Sequence, residues 1–188
     1  RVIKAGIDLH ALTATRLYGK AFTDEHRNLA KRAGFGRIYG AGAFTVALQT
    51  GVDEATAKKA LAVFDKTFPG IRIYARKLSM GSEVVTPFGR TIPVDTQRPW
   101  GAINYAVQST ARDVFMSGML RMVEAGFGQY LWLPVHDELI ACVPESIAAD
   151  AIRCMTAVMA DDFQGVPIVA DGGLMGRRWT KGTVDLAA

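Results

Sequence analysis

The sequence predicts an α+β protein in which a helical lobe precedes part of an antiparallel sheet with packed helices. Up to about Met80, apolar residues recur at helical spacing and strand-like segments are almost absent. Beyond Gly81, short apolar segments bounded by turn residues alternate with helical patterns. Strands and helices in that order are typical of an antiparallel sheet covered by helices. We therefore expect a boundary near Gly81, between a helical subdomain over residues 1–80 and a mixed portion over residues 81–188.

Three helices are expected in the first subdomain. Residues 24–38 contain no proline and alternate basic with apolar residues at helical spacing, directly after the capping residue Thr23. A second helix should begin after the capping residue Asp53 and end before Pro69. A third helix should cover residues 71–78.

The second portion should contain a hairpin, two helices and further strands. The β-branched residues around Pro87 and Gly89 predict a hairpin over residues 83–94. The other expected elements are a long helix from Ala102 to about Val123, strands over residues 130–135 and 139–143 on either side of a charged turn, a helix from Ser146 to about Asp161, and a strand from Pro167 onward.

Composition narrows the class of protein. The chain has 188 residues, 49% of them hydrophobic, so it can bury a core, and its net charge of +4 permits a polyanionic partner without requiring one. Cys142 and Cys154 match no disulfide framework, so packing roles in a reducing compartment are expected. No apolar run reaches the roughly 20 residues that span a bilayer, and no signal peptide is visible, so we expect a soluble cytoplasmic protein with no membrane partner. Arg1 opens the chain without an initiator methionine, which is typical of a piece of a longer protein.

A basic and aromatic stripe runs along the helix predicted over residues 24–38. Arg27, Lys31, Phe35 and Tyr39 are spaced by four, which places them on one slowly turning helix face. Like charges at this spacing destabilise a helix by roughly 0.2–0.5 kcal/mol, so an anion such as a triphosphate is expected between the two cations. An aromatic ring one turn further along could stack on a base, which is worth about 1–3 kcal/mol. The alternative is a surface helix with solvated cations and aromatic rings packed in the core.

Glycines follow the same stripe. Gly34, Gly36 and Gly40 do not match a dinucleotide-binding fingerprint, because no strand precedes them and their spacing is wrong. A glycine inside a helix costs about 1 kcal/mol relative to alanine. We therefore expect another chain or a base to approach the backbone closely at these positions.

The charged turn is the second candidate site. Alternation along a strand predicts that Asp137 faces away from His136 and Glu138, so the three cannot form one ligand set. A lone carboxylate can still hold Mg²⁺, which usually takes one or two protein carboxylates. Zinc would need more imidazole or thiolate than three scattered histidines and two distant cysteines provide. The alternative is a solvated polar turn.

Several motifs, in order, resemble those of family A DNA polymerases, of the bacterial DNA polymerase I type. In that family the stripe lies on a helix of the fingers subdomain, and the acidic turn surrounds the second catalytic aspartate of the palm. The resemblance covers essentially the whole chain and implies a fingers subdomain over residues 1–80 and a C-terminal palm portion over residues 81–188. The motifs are Asp8 to His10 with Thr13 and Ala14, Arg27 to Gly40, a primer-template hairpin at Thr86 to Arg90, a long palm helix with Asn104, Val107, Gln108, Ala111 and Asp113, the turn Val135 to Glu138, and a closing strand Ile168 to Ala170 with Trp179.

The resemblance implies a role for each matching residue. The phosphates of the incoming dNTP would be bound by His10, Arg27 and Lys31, and Lys31 would be a candidate proton donor to the leaving pyrophosphate. Phe35 would lie against the sugar and base, and phenylalanine rather than tyrosine here implies discrimination against dideoxynucleotides. Tyr39 would guard the templating base. Primer-template DNA would be contacted by Arg90, Asn104 and Gln108, and Gln108 would lie in the minor groove. His136 would lie near the primer terminus, and Asp137 would hold catalytic Mg²⁺.

Four positions depart from the family pattern. Trp100 stands where an arginine is usual, four residues before the asparagine, although Arg98 lies close by. Asn28 replaces a second arginine, Ser109 a usual glycine and Pro134 a usual glutamine. These departures predict a divergent branch of the family, encoded by a bacteriophage.

The first catalytic aspartate of the family has no counterpart among these residues. It belongs to a strand upstream of the histidine motif, and both metals of the two-metal mechanism are bridged by the pair of aspartates. Asp8 is expected to cap a helix rather than to replace it. We therefore expect the chain to be inactive alone and to require a missing polymerase segment from the same gene or a separate subunit. The alternatives are a non-catalytic nucleic-acid-binding remnant and a metal-dependent phosphohydrolase centred on Asp137.

Overall fold

The computed structural model describes residues 3–175. Backbone contacts divide the chain into two compact units between Thr110 and Ala111, within the longest helix. The functional boundary near Gly81 stays a prediction. Trp179, assigned by resemblance to the end of the palm, lies outside the described residues.

The first unit is mainly helical, as its periodicity predicts. Pro99–Gly101 forms a short 3-10 turn directly before the longest helix. The elements are α1 (Leu9–Tyr18), α2 (Asp24–Ile38), α3 (Ala43–Thr50), α4 (Glu54–Thr67), α5 (Pro69–Ser79), the antiparallel strands β1 (Glu83–Val85) and β2 (Thr91–Pro93), and the start of α6 (Ala102–Glu124).

Local capping explains where the two best-predicted helices begin. The Thr23 hydroxyl accepts a hydrogen bond from the His26 amide, and the His26 ring accepts one from the Thr23 amide, which together form a capping box at the start of α2. The Asp53 carboxylate accepts a hydrogen bond of 2.8 Å from the Thr56 amide at the start of α4. The predictions for these helices are confirmed. No separate bounds were predicted for α1 or for α3, which starts without a side-chain cap.

Small residues let the first four helices pack closely. The buried cluster comprises Ala33 of α2, Val46 of α3, and Ala57, Ala60 and Leu61 of α4. Alanine adds little volume beyond the backbone, so the backbones of these helices can lie close together. This core fixes the face of α2 that remains available for function.

The glycines of α2 also serve this packing. A Cβ on Gly34 would lie 2.8 Å from a ring carbon of Phe64, and one on Gly36 would lie 3.2 Å from a methyl group of Val46. At both positions the close neighbour is a side chain of the protein itself. Helix packing alone therefore accounts for the absence of a side chain at these two positions, and the approach of another chain or a base stays a prediction.

The second unit contains the rest of α6 and two hairpins. Its further elements are β3 (Leu131–Val135), β4 (Glu138–Ala141), α7 (Ala148–Met159), β5 (Asp161–Phe163) and β6 (Val166–Ile168). Arg121 of α6 donates 3.0 and 3.1 Å hydrogen bonds to the Asp161 carboxylate and to the Val158 carbonyl, which ties the long helix to the end of α7 and the start of β5.

The sheet differs from the expected one. The hairpin predicted over residues 83–94 is present as β1 and β2. For the strands beyond residue 130 one antiparallel sheet was expected, but within residues 3–175 they form two separate two-stranded antiparallel sheets, β3–β4 and β5–β6. Each pair is closed by its own local turn, and strands this short offer few hydrogen-bonding groups to another strand. The helix that was predicted to end at about Asp161 ends at Met159, since Asp161–Phe163 forms strand β5. The strand that was predicted from Pro167 onward is Val166–Ile168, the last strand of the described residues. No helix in this range is long and apolar enough to cross a membrane.

Candidate nucleotide-binding face and acidic hairpin

Asp8 joins the start of α1 to the start of the stripe on α2. One carboxylate oxygen accepts hydrogen bonds from the amides of His10 at 2.8 Å and Ala11 at 3.0 Å, so Asp8 caps the helix as predicted. The other oxygen accepts 2.9 and 2.5 Å hydrogen bonds from Nε and Nη2 of Arg27. The anion expected between Arg27 and Lys31 is thus supplied, for Arg27, by a carboxylate of the protein.

This arrangement shifts the pKa values of two groups. Hydrogen bonds from the Ala11 amide and from Arg27 lower the pKa of Asp8 to about 2, so its carboxylate stays charged near neutral pH. The pKa of His10 is also lowered, first by burial and further by the nearby Arg27 and Lys31, against the opposing effect of Asp8. The neutral form of His10 is therefore favoured, and it would bind a phosphate by donating an N–H group. Its ring lies 5.6 Å from that of Phe35.

Asp8 should stabilise the fold in a pH-dependent way. We expect Asp8→Ala to lower the free energy of unfolding by about 0.5–2 kcal/mol near pH 7, because α1 loses its cap. A carboxyl group whose pKa is lowered on folding stabilises above its unfolded value of 3.8, and this stabilisation is lost as pH falls toward 2. Chemical denaturation from pH 7 to pH 2 should therefore show the deficit of the variant shrinking below about pH 4. Asp171→Ala, which removes an exposed carboxylate of the other unit, is the control; a deficit that is independent of pH would contradict the assignment.

The rest of the stripe opens onto a cavity of about 690 Å³. Phe35 is 44% and Tyr39 37% exposed, so the alternative that both rings pack in the core is wrong. Among the described residues, Lys31 is exposed and forms no salt bridge. Its ammonium group is therefore available to an anionic ligand. The lining comprises Asn28, Lys31, Arg32, Phe35, Gly36, Tyr39, Gly40, Ala41, Thr45 and Gln49.

The side of this cavity that α3 forms was not predicted from the sequence. Thr45 and Gln49 lie one turn apart on α3, for which no bounds were predicted. Arg32 donates a 2.7 Å hydrogen bond to the Gln49 carbonyl and so joins α2 to α3. The spacing of Thr45 and Gln49 by four residues was the available indication.

The end of the stripe is tied to the start of α6. Tyr39 follows the last residue of α2, and its hydroxyl accepts a 2.8 Å hydrogen bond from the Gln108 amide group. The next residue, Gly40, has a φ of 85°, and a Cβ there would lie 3.0 Å from Cδ1 of Trp100. Two residues predicted to contact DNA or the templating base are thereby brought together.

Two further residues of the first unit are predicted to contact DNA, and they differ in exposure to solvent. Arg90 is exposed next to the loop of the β1–β2 hairpin, where its backbone amide donates to the Thr86 hydroxyl at 3.2 Å. Asn104 is half-buried, and in the described part of the chain its Oδ1 atom is buried without a hydrogen-bond partner. A buried acceptor without a partner costs about 1–3 kcal/mol, so a donor from a bound molecule would stabilise it.

The acidic hairpin presents its charges to solvent. Val135 pairs with Glu138, which leaves His136 and Asp137 as the two residues of the turn. Strand alternation therefore stops at Val135, and the prediction that it places Asp137 opposite both neighbours is wrong. His136 has a φ of 55°, which non-glycine residues uncommonly adopt but which the favoured two-residue hairpin turns require at their first position. Both turn residues are exposed.

The acidic hairpin can supply one ligand to a metal ion, the Asp137 carboxylate. Among residues 3–175, no three histidine, cysteine, aspartate or glutamate side chains lie close enough together to hold a metal ion. Mg²⁺ needs only one or two protein carboxylates when phosphates and water complete its shell, and the exposed Asp137 carboxylate can supply one. A preformed zinc site is excluded for this part of the chain.

The fold is that of a polymerase domain. A solved structure, the POL domain of Pol1 from M. smegmatis in complex with DNA primer-template and dNTP, matches 92% of this chain with a TM-score of 0.77 and 24% sequence identity. The match covers 34% of that chain. This likeness confirms the predicted α+β class.

The chain belongs to DNA polymerase family A. Its residues 1–181 match that family. It is 42% identical over 185 residues to the DNA polymerase of Mycobacterium phage D29, a match that covers 95% of this chain and 30% of the relative. It is 34% identical over 195 residues to DNA polymerase I of Chloroflexus aurantiacus, covering 93% of this chain and 21% of the relative. The chain thus spans less than a third of the length of these relatives. The resemblance is confirmed, and the phage relative agrees with the predicted divergent branch.

Proposed function

We propose that this chain is the fingers subdomain and the C-terminal palm portion of a template-directed DNA polymerase, which adds deoxynucleotides to a primer 3′ end. One observation carries the proposal: in the described part of the chain Lys31 forms no salt bridge, and it lies on an open cavity beside two exposed aromatic rings. A cation next to aromatic rings matches the phosphates and base of a nucleotide. Family membership supports the proposal, as does a fold neighbour solved with primer-template DNA and dNTP.

The phosphate end of the site comprises His10, Arg27 and Lys31. Arg27 is held in place by Asp8, His10 offers an N–H donor, and among the described residues Lys31 has no salt-bridge partner. In the reaction, the primer 3′ hydroxyl loses its proton to water, and its oxygen forms a bond to the α-phosphorus while the bond from that phosphorus to the bridging oxygen breaks. The pyrophosphate leaves with the electron pair of that bond and takes a proton from Nζ of Lys31, which acts as a general acid.

The base end comprises Phe35 and Tyr39. Phe35 lies against the sugar and base of the incoming dNTP, and Tyr39 guards the position of the templating base. Arg90, Asn104 and Gln108 contact the primer-template, and His136 lies near the primer terminus. The hydrogen bond between Tyr39 and Gln108 breaks when both side chains take up these contacts.

Asp137 is the magnesium ligand that this chain contributes. Bound Mg²⁺ supplies charge neutralisation for the phosphates and activation of the primer hydroxyl. The family mechanism uses two aspartates, and these 188 residues provide one. We therefore propose that the chain alone binds substrates but does not extend a primer.

Replacing Phe35 by tyrosine should increase the use of dideoxynucleotides. A dideoxynucleotide lacks the 3′ hydroxyl, and a phenol at this position offers a hydrogen bond in its place, which is worth about 0.5–1.5 kcal/mol or roughly 2- to 10-fold. The measurement is the ratio of dideoxy to deoxy incorporation by a polymerase that contains this chain. Phe44→Tyr is the matched control, since Phe44 is 70% exposed on α3 and does not line the cavity. An unchanged ratio in Phe35→Tyr would mean that the sugar is held elsewhere.

A further inference from the structure

Trp100 is a large apolar side chain that is only partly packed. It lies in the Pro99–Gly101 turn, and its pyrrole ring covers Gly40, where a Cβ would lie 3.0 Å from Cδ1, 3.7 Å from Cγ and 3.8 Å from Nε1. The side chain is nevertheless 56% exposed. The ring is therefore fixed by the protein at one edge while most of its surface is open to solvent.

The surroundings of this ring are aromatic, polar and basic. Gly40 is preceded by Tyr39, which is 37% exposed and hydrogen-bonded to Gln108. Arg98 lies two residues before Trp100, its side chain is 71% exposed, and its Nε donates to Asp95 at 3.0 Å. Exposed aromatic rings beside basic side chains are typical of surfaces that bind single-stranded nucleic acid, because a ring stacks on a base of any sequence.

We propose that Trp100 is a stacking platform for an unpaired base of the template strand, adjacent to the position that Tyr39 guards. This inference rests on the proposed polymerase function. Tryptophan cannot form an ion pair with a phosphate, so a contact of Trp100 with nucleic acid is made through the face of its ring.

A purely structural role of Trp100 would require an apolar side chain but not an aromatic ring. If Trp100 only covered Gly40, another apolar side chain such as leucine would serve as well. Stacking on a base requires an aromatic ring. Trp100→Leu and Trp100→Phe therefore form a matched pair, in which both variants keep an apolar contact with Gly40 and only phenylalanine keeps a π face.

The test is equilibrium binding of the purified chain to a primer-template with a single-stranded template overhang. An abasic residue is placed in turn at each of the first three unpaired template positions. In the wild type, one of these substitutions should weaken binding by roughly 5- to 100-fold, the loss of one stacked base. The same substitution should cost less than about twofold in Trp100→Leu, whereas Trp100→Phe should keep most of the penalty. Trp100→Arg should bind DNA with a steeper salt dependence, by about one phosphate contact.

The outcomes separate this inference from the proposed function. Equal abasic penalties in the wild type and Trp100→Leu, or the absence of any penalty in a wild type that binds DNA, would overturn the stacking role alone. Failure of the folded wild-type chain to bind any primer-template would contradict the proposed function, and this inference with it. Circular dichroism of each variant shows whether it is folded.

Discussion

Asp137→Ala should abolish nucleotide addition by a polymerase that contains this chain, while its affinity for primer-template DNA changes little. The carboxylate lies exposed at the tip of the β3–β4 hairpin, and it forms no salt bridge within residues 3–175. Its removal should therefore leave the hairpin intact and take away a metal ligand. Loss of a catalytic metal ligand is expected to reduce the rate by several orders of magnitude, because the metal site loses one of its two bridging aspartates.

The measurement is single-turnover primer extension beside DNA binding. Asp150→Ala is the matched control, since Asp150 is an exposed carboxylate on α7 of the same unit, and its activity should equal that of the wild type. Extension by Asp137→Ala at the wild-type rate would remove Asp137 from the active centre. It would favour the alternative that this part of the chain is a nucleic-acid-binding remnant.

Lys31→Ala should produce the second largest loss of activity. General acid catalysis contributes about 10²- to 10⁴-fold to a rate, and the variant also loses a charge that binds phosphate. Lys31→Arg separates the two roles, because arginine keeps the charge but does not release a proton at accessible pH. We expect Lys31→Arg to restore much of the KM for dNTP while kcat stays low.

Steady-state kinetics with varied dNTP concentration distinguish these outcomes. Lys58→Ala is the control, since Lys58 is an exposed lysine on α4 that does not line the cavity. Kinetics of Lys31→Ala equal to those of the control would contradict the phosphate assignment. Recovery of kcat by Lys31→Arg would limit Lys31 to binding.

Features encoded by local sequence were predictable. The bounds of α2 follow from its cap at Thr23, and the start of α4 follows from the cap at Asp53. The exposed stripe of α2 was visible as a spacing of four, since a helix places such residues on one face. The hairpin around Asp137 was visible because two apolar segments flank a charged turn.

Features that depend on distant partners were not predictable. Nothing local indicates that Asp8 pairs with Arg27, or that Gly34 is there to admit Phe64. The same holds for the contact between Gly40 and Trp100. Strand pairing beyond neighbouring strands also depends on tertiary contacts, which is why one sheet was expected beyond residue 130 where the described residues form two.

The central claim is that this chain contains the residues that bind the incoming nucleotide and one of the two catalytic aspartates. The most direct test mixes the purified 188-residue chain with primer-template, Mg²⁺ and a labelled dNTP, and reads both protein-bound label and primer length. The account predicts bound nucleotide that decreases in Lys31→Ala, with no primer extension. Primer extension by the chain alone, or nucleotide binding that is absent or independent of Lys31, would contradict it.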